Sequence, residues 1–323
     1  MNHQFKVVFA DYDYPSIDIE LKQLEQLNAE IIEGQCKTEE ELIGLAKDAD
    51  GIICQYAPFT AKVMNALEKC RIISRYGVGV DNIDVKAATE KGIMVAYVPD
   101  YCIEEVSNHA IAMIMNFARQ ISLFDRSTRN RNWDVMLSKP IFRLSEQTIG
   151  ILGLGRIGSA VARKLKNFNV KILAHDPYVK NVIKGVKIVD FQELVEKSDY
   201  ITIHTPLSEE TKQIFTQKIF KQMKKSAYLI NTARGGIINQ EALFEALNNK
   251  EIKGAALDVL ENEPPDWSEI PQLENLILTP HAAFYSESSF EELKKRTAQA
   301  VVNVLQGKVS SNLFNPDVLE RNR

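Results

Sequence analysis

Over the first hundred positions, short apolar runs rich in β-branched residues alternate with stretches of helical spacing. The runs at 6–10, 29–32, 51–54, 71–75 and 93–96 read as strands, and 17–27, 39–47, 61–68 and 85–91 as helices between them. Such alternation predicts a parallel α/β sheet. A long amphipathic run follows at 103–120, with Val106, Ala110, Met113, Ile114 and Phe117 spaced for one helix face. From Thr148 the alternation restarts, with strands at 149–152, 171–174, 200–203, 227–230, 255–259 and 276–278 and helices at 157–168, 191–197 and 240–248. The last helical run, 286–305, is expected to return to the first lobe and make it discontinuous. The pattern therefore predicts two doubly wound parallel-sheet α/β domains with a cleft between them. One comprises residues 1–98 and 285–323, the other residues 99–284.

Composition changes this picture little. At 323 residues, with 45% hydrophobic and 25% charged residues, the chain is long enough for two ordinary globular cores. A net charge of −4 with both signs interspersed offers no basic face for a phosphate backbone, so nucleic acid is not expected as a partner. The first residues carry no signal-peptide core before Asp11 and Asp13, and no apolar stretch approaches the length of a membrane span, so a cytoplasmic location and no membrane partner are expected. Cys36, Cys54, Cys70 and Cys102 lack CxxC pairing and neighbouring histidines, which fits reduced thiols and no metal site.

The strand at 149–152 runs directly into Gly153-Leu154-Gly155-Arg156-Ile157-Gly158 and then a helix. This is the dinucleotide fingerprint in its required context. The first glycine permits a tight turn, the second lets the backbone approach a pyrophosphate, and the third lets helix pack on strand. Asp176 closes the next strand, 18 residues after Gly158, where a carboxylate can accept from ribose hydroxyls and repel the extra phosphate of NADP. NAD is therefore the expected cofactor. Arg156 reads either as added charge for the pyrophosphate or as a solvated helix-start arginine.

Three further segments place polar groups after strands, where open α/β sheets bind ligands. They are Arg234 in Asn231-Thr232-Ala233-Arg234-Gly235-Gly236, Glu263 after the strand at 255–259, and His281 in Thr279-Pro280-His281. A 2-keto acid requires a fixed cation for its carboxylate, and the planar fork of arginine suits that task. It also requires an acid near neutrality to protonate the carbonyl oxygen, which suits histidine, and a carboxylate to favour the imidazolium. Taken singly, the three residues more often describe a surface ion-pair arginine, a solvated loop acid and a capping histidine. His109, His175 and His204 read as packing or cofactor-contacting residues.

The runs 150–158, His204-Thr205-Pro206-Leu207 with Thr211, 223–236, 254–264 and 279–283, in this order and spacing, resemble the D-isomer-specific 2-hydroxyacid dehydrogenase family. Ser74-Arg75-Tyr76-Gly77-Val78-Gly79-Val80-Asp81-Asn82-Ile83-Asp84 resembles its substrate-domain loop. The resemblance implies a Rossmann NAD-binding domain, a flavodoxin-like substrate domain, and the catalytic set Arg234, Glu263 and His281. It also implies cofactor contacts from Gly153, Gly155, Arg156, Ile157, Gly158, Asp176, Thr205, Pro206, Thr211, Ala233 and Asp258, the last accepting from the nicotinamide carboxamide. Val78 and Gly79 would offer backbone N–H groups to the substrate carboxylate beside Arg234.

Val98-Pro99-Asp100-Tyr101-Cys102 and His281-Ala282-Ala283-Phe284-Tyr285-Ser286 are similar to the branch related to the C-terminal-binding protein corepressors, with Phe284 where that branch often carries Trp. Two functions follow from the resemblance. One is reversible hydride transfer between NAD(H) and a small 2-hydroxy or 2-keto acid of the glyoxylate, pyruvate, hydroxypyruvate or phosphoglycerate class. The other is an NAD(H)-sensing scaffold with little turnover. Formate as substrate is disfavoured because Glu263 is present. Phosphoglycerate dehydrogenase stays open, although the chain ends soon after the return helix, with no room for the regulatory domain that many such enzymes append. A homodimer is expected, since the apolar face at 103–117 exceeds what one lobe needs.

Overall fold

The computed structural model describes residues 3–179 and 183–321. The chain divides into two compact units, Met1–Tyr101 with Ser286–Arg323, and Cys102–Tyr285.

In the first unit five strands, β1 (Phe5–Phe9), β2 (Ala29–Glu33), β3 (Gly51–Cys54), β4 (Ile72–Arg75) and β5 (Met94–Ala96), form a parallel sheet in the order β2-β1-β3-β4-β5. This is the flavodoxin-like order, which reverses between β1 and β3. Val8, Ile52, Ile73 and Val95 point to one face, where Leu42, Val63, Met64 and Ala88 from three helices cover them. The return helix Glu287–Leu305 lies on the other face. A Cβ at Gly51 would stand 2.9 Å from the Val301 side chain, and the Ser74 hydroxyl donates to the Thr297 carbonyl. The helix starts at a capping box in which Ser286 and Ser289 satisfy each other's backbone amides.

The second unit carries β6 (Thr148–Leu152), β7 (Lys171–His175), β8 (Val186–Ile188), β9 (Tyr200–Ile203), β10 (Tyr228–Asn231), β11 (Gly254–Leu257) and β12 (Leu276–Leu278). They form a parallel sheet in the order β12-β11-β10-β9-β6-β7-β8, whose direction reverses between β6 and β9. Alternate side chains enter opposite cores, as the pleat requires. Ile149, Ile151 and Ile230 pack on one face, and Leu152, Ile201, Ile203 and Leu229 on the other. Burial on both faces explains why these strands read as continuous apolar runs rather than alternating ones.

One expectation is corrected here. The apolar face of the helix Ile103–Arg119 is covered within its own unit. Ala110, Met113, Ile114, Phe117 and Ala118 are buried against Ile149, Ile151, Val161 and Leu165 from β6 and the helix Arg156–Leu165. A helix-spaced apolar stripe reports that something covers it, and a neighbouring helix in the same chain is sufficient. A group of exposed apolar residues lies just after it. The helix Ile121–Arg129 buries none of its residues, and Trp133 is 91% exposed.

The sequence pattern also missed β8 and the helices Ile121–Arg129, Gln217–Gln222 and Val318–Arg321. Among the described residues no helix is long and apolar enough to cross a membrane, and no cluster of three metal-ligating side chains occurs. All four cysteines are free thiols.

Candidate active site

The fingerprint turn follows β6, at the edge where the strand order reverses, and its three glycines answer three different demands. Gly153 has φ of +88°, and a Cβ there would press within 2.7 Å of the Thr205 amide at the end of β9. Gly158 lies in the first turn of the helix Arg156–Leu165, where any Cβ would collide with the Gly153 carbonyl. Around Gly155 there is nothing within 4 Å of a built Cβ. Two of the glycines are thus required by packing, while the middle one keeps open space in front of a helix N-terminus whose first amides have no partner inside the helix. An anion fits that position, so the residues suit a pyrophosphate. Arg156 and Ile157 open the helix, with Arg156 exposed.

Asp176 follows β7. Its Oδ2 accepts the Leu154 amide at 2.7 Å and its Oδ1 accepts the Tyr178 amide at 2.8 Å, so it braces the glycine turn from the neighbouring strand. Beyond β9, Thr205 passes beside Gly153 and Pro206 follows it. The Thr211 hydroxyl donates to the Pro206 carbonyl and accepts the Ser208 amide, holding that loop in shape. Burial pushes the His204 imidazole down to about 3, so it stays neutral near pH 7, with Nε2 2.9 Å from the Thr202 hydroxyl.

Arg234, Glu263 and His281 come from the loops after β10, β11 and β12, three adjacent strands, and therefore share one sheet edge. Asn231 shapes the first loop: its Oδ1 accepts the Ala233 amide and its Nδ2 donates to the Arg234 carbonyl. At Gly235 a Cβ would strike the Leu260–Glu261 backbone, so the arginine loop and the glutamate loop touch main chain to main chain. Glu263 accepts the Leu260 amide on Oε1 at 2.8 Å, and its Oε2 lies 2.6 Å from His281 Nδ1. Burial pushes the Glu263 carboxyl upward, but the hydrogen bond and charge of His281, the Leu260 amide and the Arg234 charge outweigh it, and the group sits below the ordinary carboxylate range. Glu263 is then a carboxylate near neutrality, so Nδ1 carries the shared proton and Nε2 is the nitrogen left for chemistry.

Asp258, 2% exposed at the end of β11, organises the His281 turn. Its Oδ1 accepts the Thr279 hydroxyl and the Ala282 amide, its Oδ2 the Ala283 amide, and its carbonyl the His281 amide. With three donors on the carboxylate, about one lone-pair position is left for a cofactor amide. His109, read from the sequence as a packing or cofactor-contacting residue, lies 3.1 Å from the Thr279 hydroxyl. Helical spacing gives no signal for such a contact, which depends on the helix Ile103–Arg119 bringing His109 to the loop after β12. His175 Nδ1 is 3.0 Å from the Val189 carbonyl, a packing role.

In the other unit, Val78 and Gly79 are half-buried in the bend after β4. The bend is set by Gly77 at φ of +117° and by Tyr76, whose hydroxyl donates to the buried Glu20 at 2.6 Å.

Comparison with known proteins agrees with this architecture. The model of the D-isomer specific 2-hydroxyacid dehydrogenase NAD binding domain matches residues 111–283, more than half of the chain. A D-3-phosphoglycerate dehydrogenase of Methanocaldococcus jannaschii is 39% identical over 86% of this chain, which spans about half (54%) of that protein's length. A glyoxylate reductase of Korarchaeum cryptofilum is 37% identical, covering 86% of each chain. Among solved structures, D-lactate dehydrogenase from Aquifex aeolicus, complexed with NAD and lactic acid, superposes with a TM-score of 0.85 at 28% identity, covering 96% of this chain and 99% of that one. With a matching family model, relatives well above a third identical and a shared fold, the chain belongs to the D-isomer specific 2-hydroxyacid dehydrogenase family.

Proposed function

We propose that this chain is an NAD-dependent dehydrogenase catalysing reversible hydride transfer between NAD(H) and a small 2-hydroxy or 2-keto acid, in the class of glyoxylate, pyruvate, hydroxypyruvate and phosphoglycerate. The observation that carries the reading is the 2.6 Å hydrogen bond from His281 Nδ1 to Glu263, made on the same sheet edge as Arg234 and in the same sheet as the glycine turn. The names of the relatives, a glyoxylate reductase and a D-3-phosphoglycerate dehydrogenase, support the substrate class.

The nicotinamide, when bound, supplies or accepts the hydride. Arg234 binds the substrate carboxylate through its planar fork, a task that the backbone amides of Val78 and Gly79 are assigned by resemblance. His281 Nε2 gives its proton to the carbonyl oxygen in reduction and takes it from the hydroxyl in oxidation, while the Glu263 carboxylate stabilises the imidazolium and sets the ring orientation. Gly153, Gly155, Arg156, Ile157 and Gly158 bind the pyrophosphate and Asp176 the adenosine ribose. Thr205, Pro206 and Ala233 line the cofactor, Thr211 shapes their loop, and Asp258 has room for one carboxamide hydrogen bond. The protein is assigned to the cytoplasm as a homodimer. The exposed apolar stretch Ile121, Trp133, Val135, Met136, Leu137 and Phe142 supports a second copy as its cover.

Steady-state assays with NADH and a panel of short 2-keto acids test the reading. Turnover on at least one acid, lowered roughly 10²- to 10⁴-fold by His281→Ala with NADH binding kept, is the expected result. The scaffold reading implied by the corepressor-like runs expects NADH binding with no turnover on any acid, and that outcome rejects the dehydrogenase.

A further inference from the structure

We propose that His109 is a positioning residue for the His281 turn, acting through Thr279 and Asp258. The inference rests on the reading of His281 as the proton carrier.

The argument starts from strain. His281 has φ of +52°, the left-handed region, which costs a residue with a Cβ about 1–2 kcal/mol. Such a conformation persists only where the surroundings over-determine it. Here Asp258 supplies most of that determination, since its carbonyl and carboxylate together take the amides of His281, Ala282 and Ala283 and the hydroxyl of Thr279. The orientation of the Asp258 carboxylate therefore sets where the His281 ring stands.

The proton inventory then brings in His109. Thr279 has one hydroxyl proton and gives it to Asp258 Oδ1 at 2.5 Å. The hydroxyl can only accept from its other neighbour, so His109 Nε2, 3.1 Å away, must carry a proton and donate it. That donor holds the threonine in the rotamer and polarity that serve Asp258, and it places the imidazole edge 3.7 Å from Asp258 Oδ1. Without the donor, Thr279 is free to turn its proton elsewhere, and Asp258 loses one of its donors. His109 stands on the helix Ile103–Arg119, which is locked in the core through the adjoining Ala110, Met113, Ile114 and Phe117. The relay thus connects a rigid helix to the strained turn. His109 has no part in proton transfer to substrate. It acts on the geometry of the residue that does.

The test uses the full chain with NADH and a keto acid the wild type reduces, comparing His109→Leu, Thr279→Val, the double variant and Thr279→Ser. Each of the first two should lower kcat roughly 10- to 100-fold, as expected for a misplaced acid. KM for the keto acid should stay within about twofold. The double variant should be no slower than the worse single one, because both break one relay. Thr279→Ser, which keeps the hydroxyl, should recover kcat to within about threefold. A pin that serves folding alone would lower the melting temperature and leave kcat unchanged, so unchanged or additive kcat effects in an active enzyme overturn the inference while the proposed function stands. Nitrogen-15 spectra of labelled histidines supply a readout independent of turnover. His109 should be in the Nε2–H form near neutral pH, and His109→Leu should shift the His281 ring signals. Should the wild type reduce no acid in the panel, the proposed function fails, and identical His281 signals in wild type and His109→Leu overturn the relay on their own.

Discussion

Replacing Asp176 separates the two things its carboxylate does. One is the brace to the Leu154 and Tyr178 amides, the other the proposed hydrogen bonds to the adenosine ribose. A hydrogen bond to a charged group contributes about 1.5–3 kcal/mol, and the low end suits a half-exposed loop. Asp176→Ala then costs about 1.5 kcal/mol through the loosened glycine turn and about as much through the ribose, so NADH should bind roughly 100-fold more weakly. NADPH loses the same brace but escapes a carboxylate facing its 2′-phosphate, a repulsion of about 4 kcal/mol at an effective dielectric of 20 that counterions reduce to about 2. Its affinity should change little, and the NADH-to-NADPH preference should move between about 10² and 10³ toward NADPH. Asp176→Asn keeps an acceptor for one amide while removing the charge, so it should retain most of the NADH affinity and still lose discrimination. Titration by nicotinamide fluorescence, with both cofactors and all three proteins, measures these quantities. A wild type that binds NADPH as well as NADH refutes the ribose assignment. An alanine variant that weakens both cofactors equally reduces Asp176 to a brace.

Glu263 is held below the ordinary carboxylate range and is therefore ionised near neutrality, and keto-acid reduction, which needs a protonated imidazole, should fall on the alkaline side. Glu263→Gln removes the attraction for the imidazolium and should move that fall to lower pH, while alcohol oxidation, which needs the neutral ring, extends to lower pH; a profile indifferent to the substitution rejects the pairing. Gly155→Ala should melt no lower than wild type, because its Cβ enters open space, yet bind NADH more weakly. Gly158→Ala should lose about 1–3 kcal/mol of stability by overpacking against Gly153, and calorimetry with NADH titration distinguishes the two effects. Trp133→Asp should give a monomer in sedimentation at micromolar concentration where the wild type is a dimer, and a monomeric wild type refutes the assembly.

The strands were the most legible part of the chain, because a strand buried on both faces announces itself as a run such as Ile149–Leu152 without reference to anything distant. The glycine turn was equally plain, since a strand, three glycines and a helix are contiguous. What the pattern left open was which strands are neighbours, although keto-acid chemistry and the resemblance pair Glu263 with His281 in advance. Glu263 and His281 are 18 residues apart, and their hydrogen bond exists only because β11 and β12 are adjacent and their loops emerge on the same side. The brace from Asp176 to Leu154 and the contact of His109 with Thr279 have the same origin, the latter across 170 residues. The helix Ile121–Arg129 escaped notice because its apolar residues Ile121, Leu123 and Phe124 are confined to the first turn and only polar residues follow, too short a run to show a helical period. The three-residue β8 is too short for a period.

The return helix of the first unit imposes an order on synthesis. Residues 3–101 emerge first and contain all five strands of their sheet, but Gly51 and Ser74 lack their partners Val301 and Thr297 until these have been made, some two hundred residues later. At about 5–20 residues per second the interval is on the order of ten seconds or longer, during which the nascent sheet exposes apolar surface and Lys294 has yet to reach the buried Glu20. The intervening unit has no such wait, since its own strands and helices are contiguous in the chain from Cys102 to Tyr285. The segment made first is therefore the one that finishes folding last.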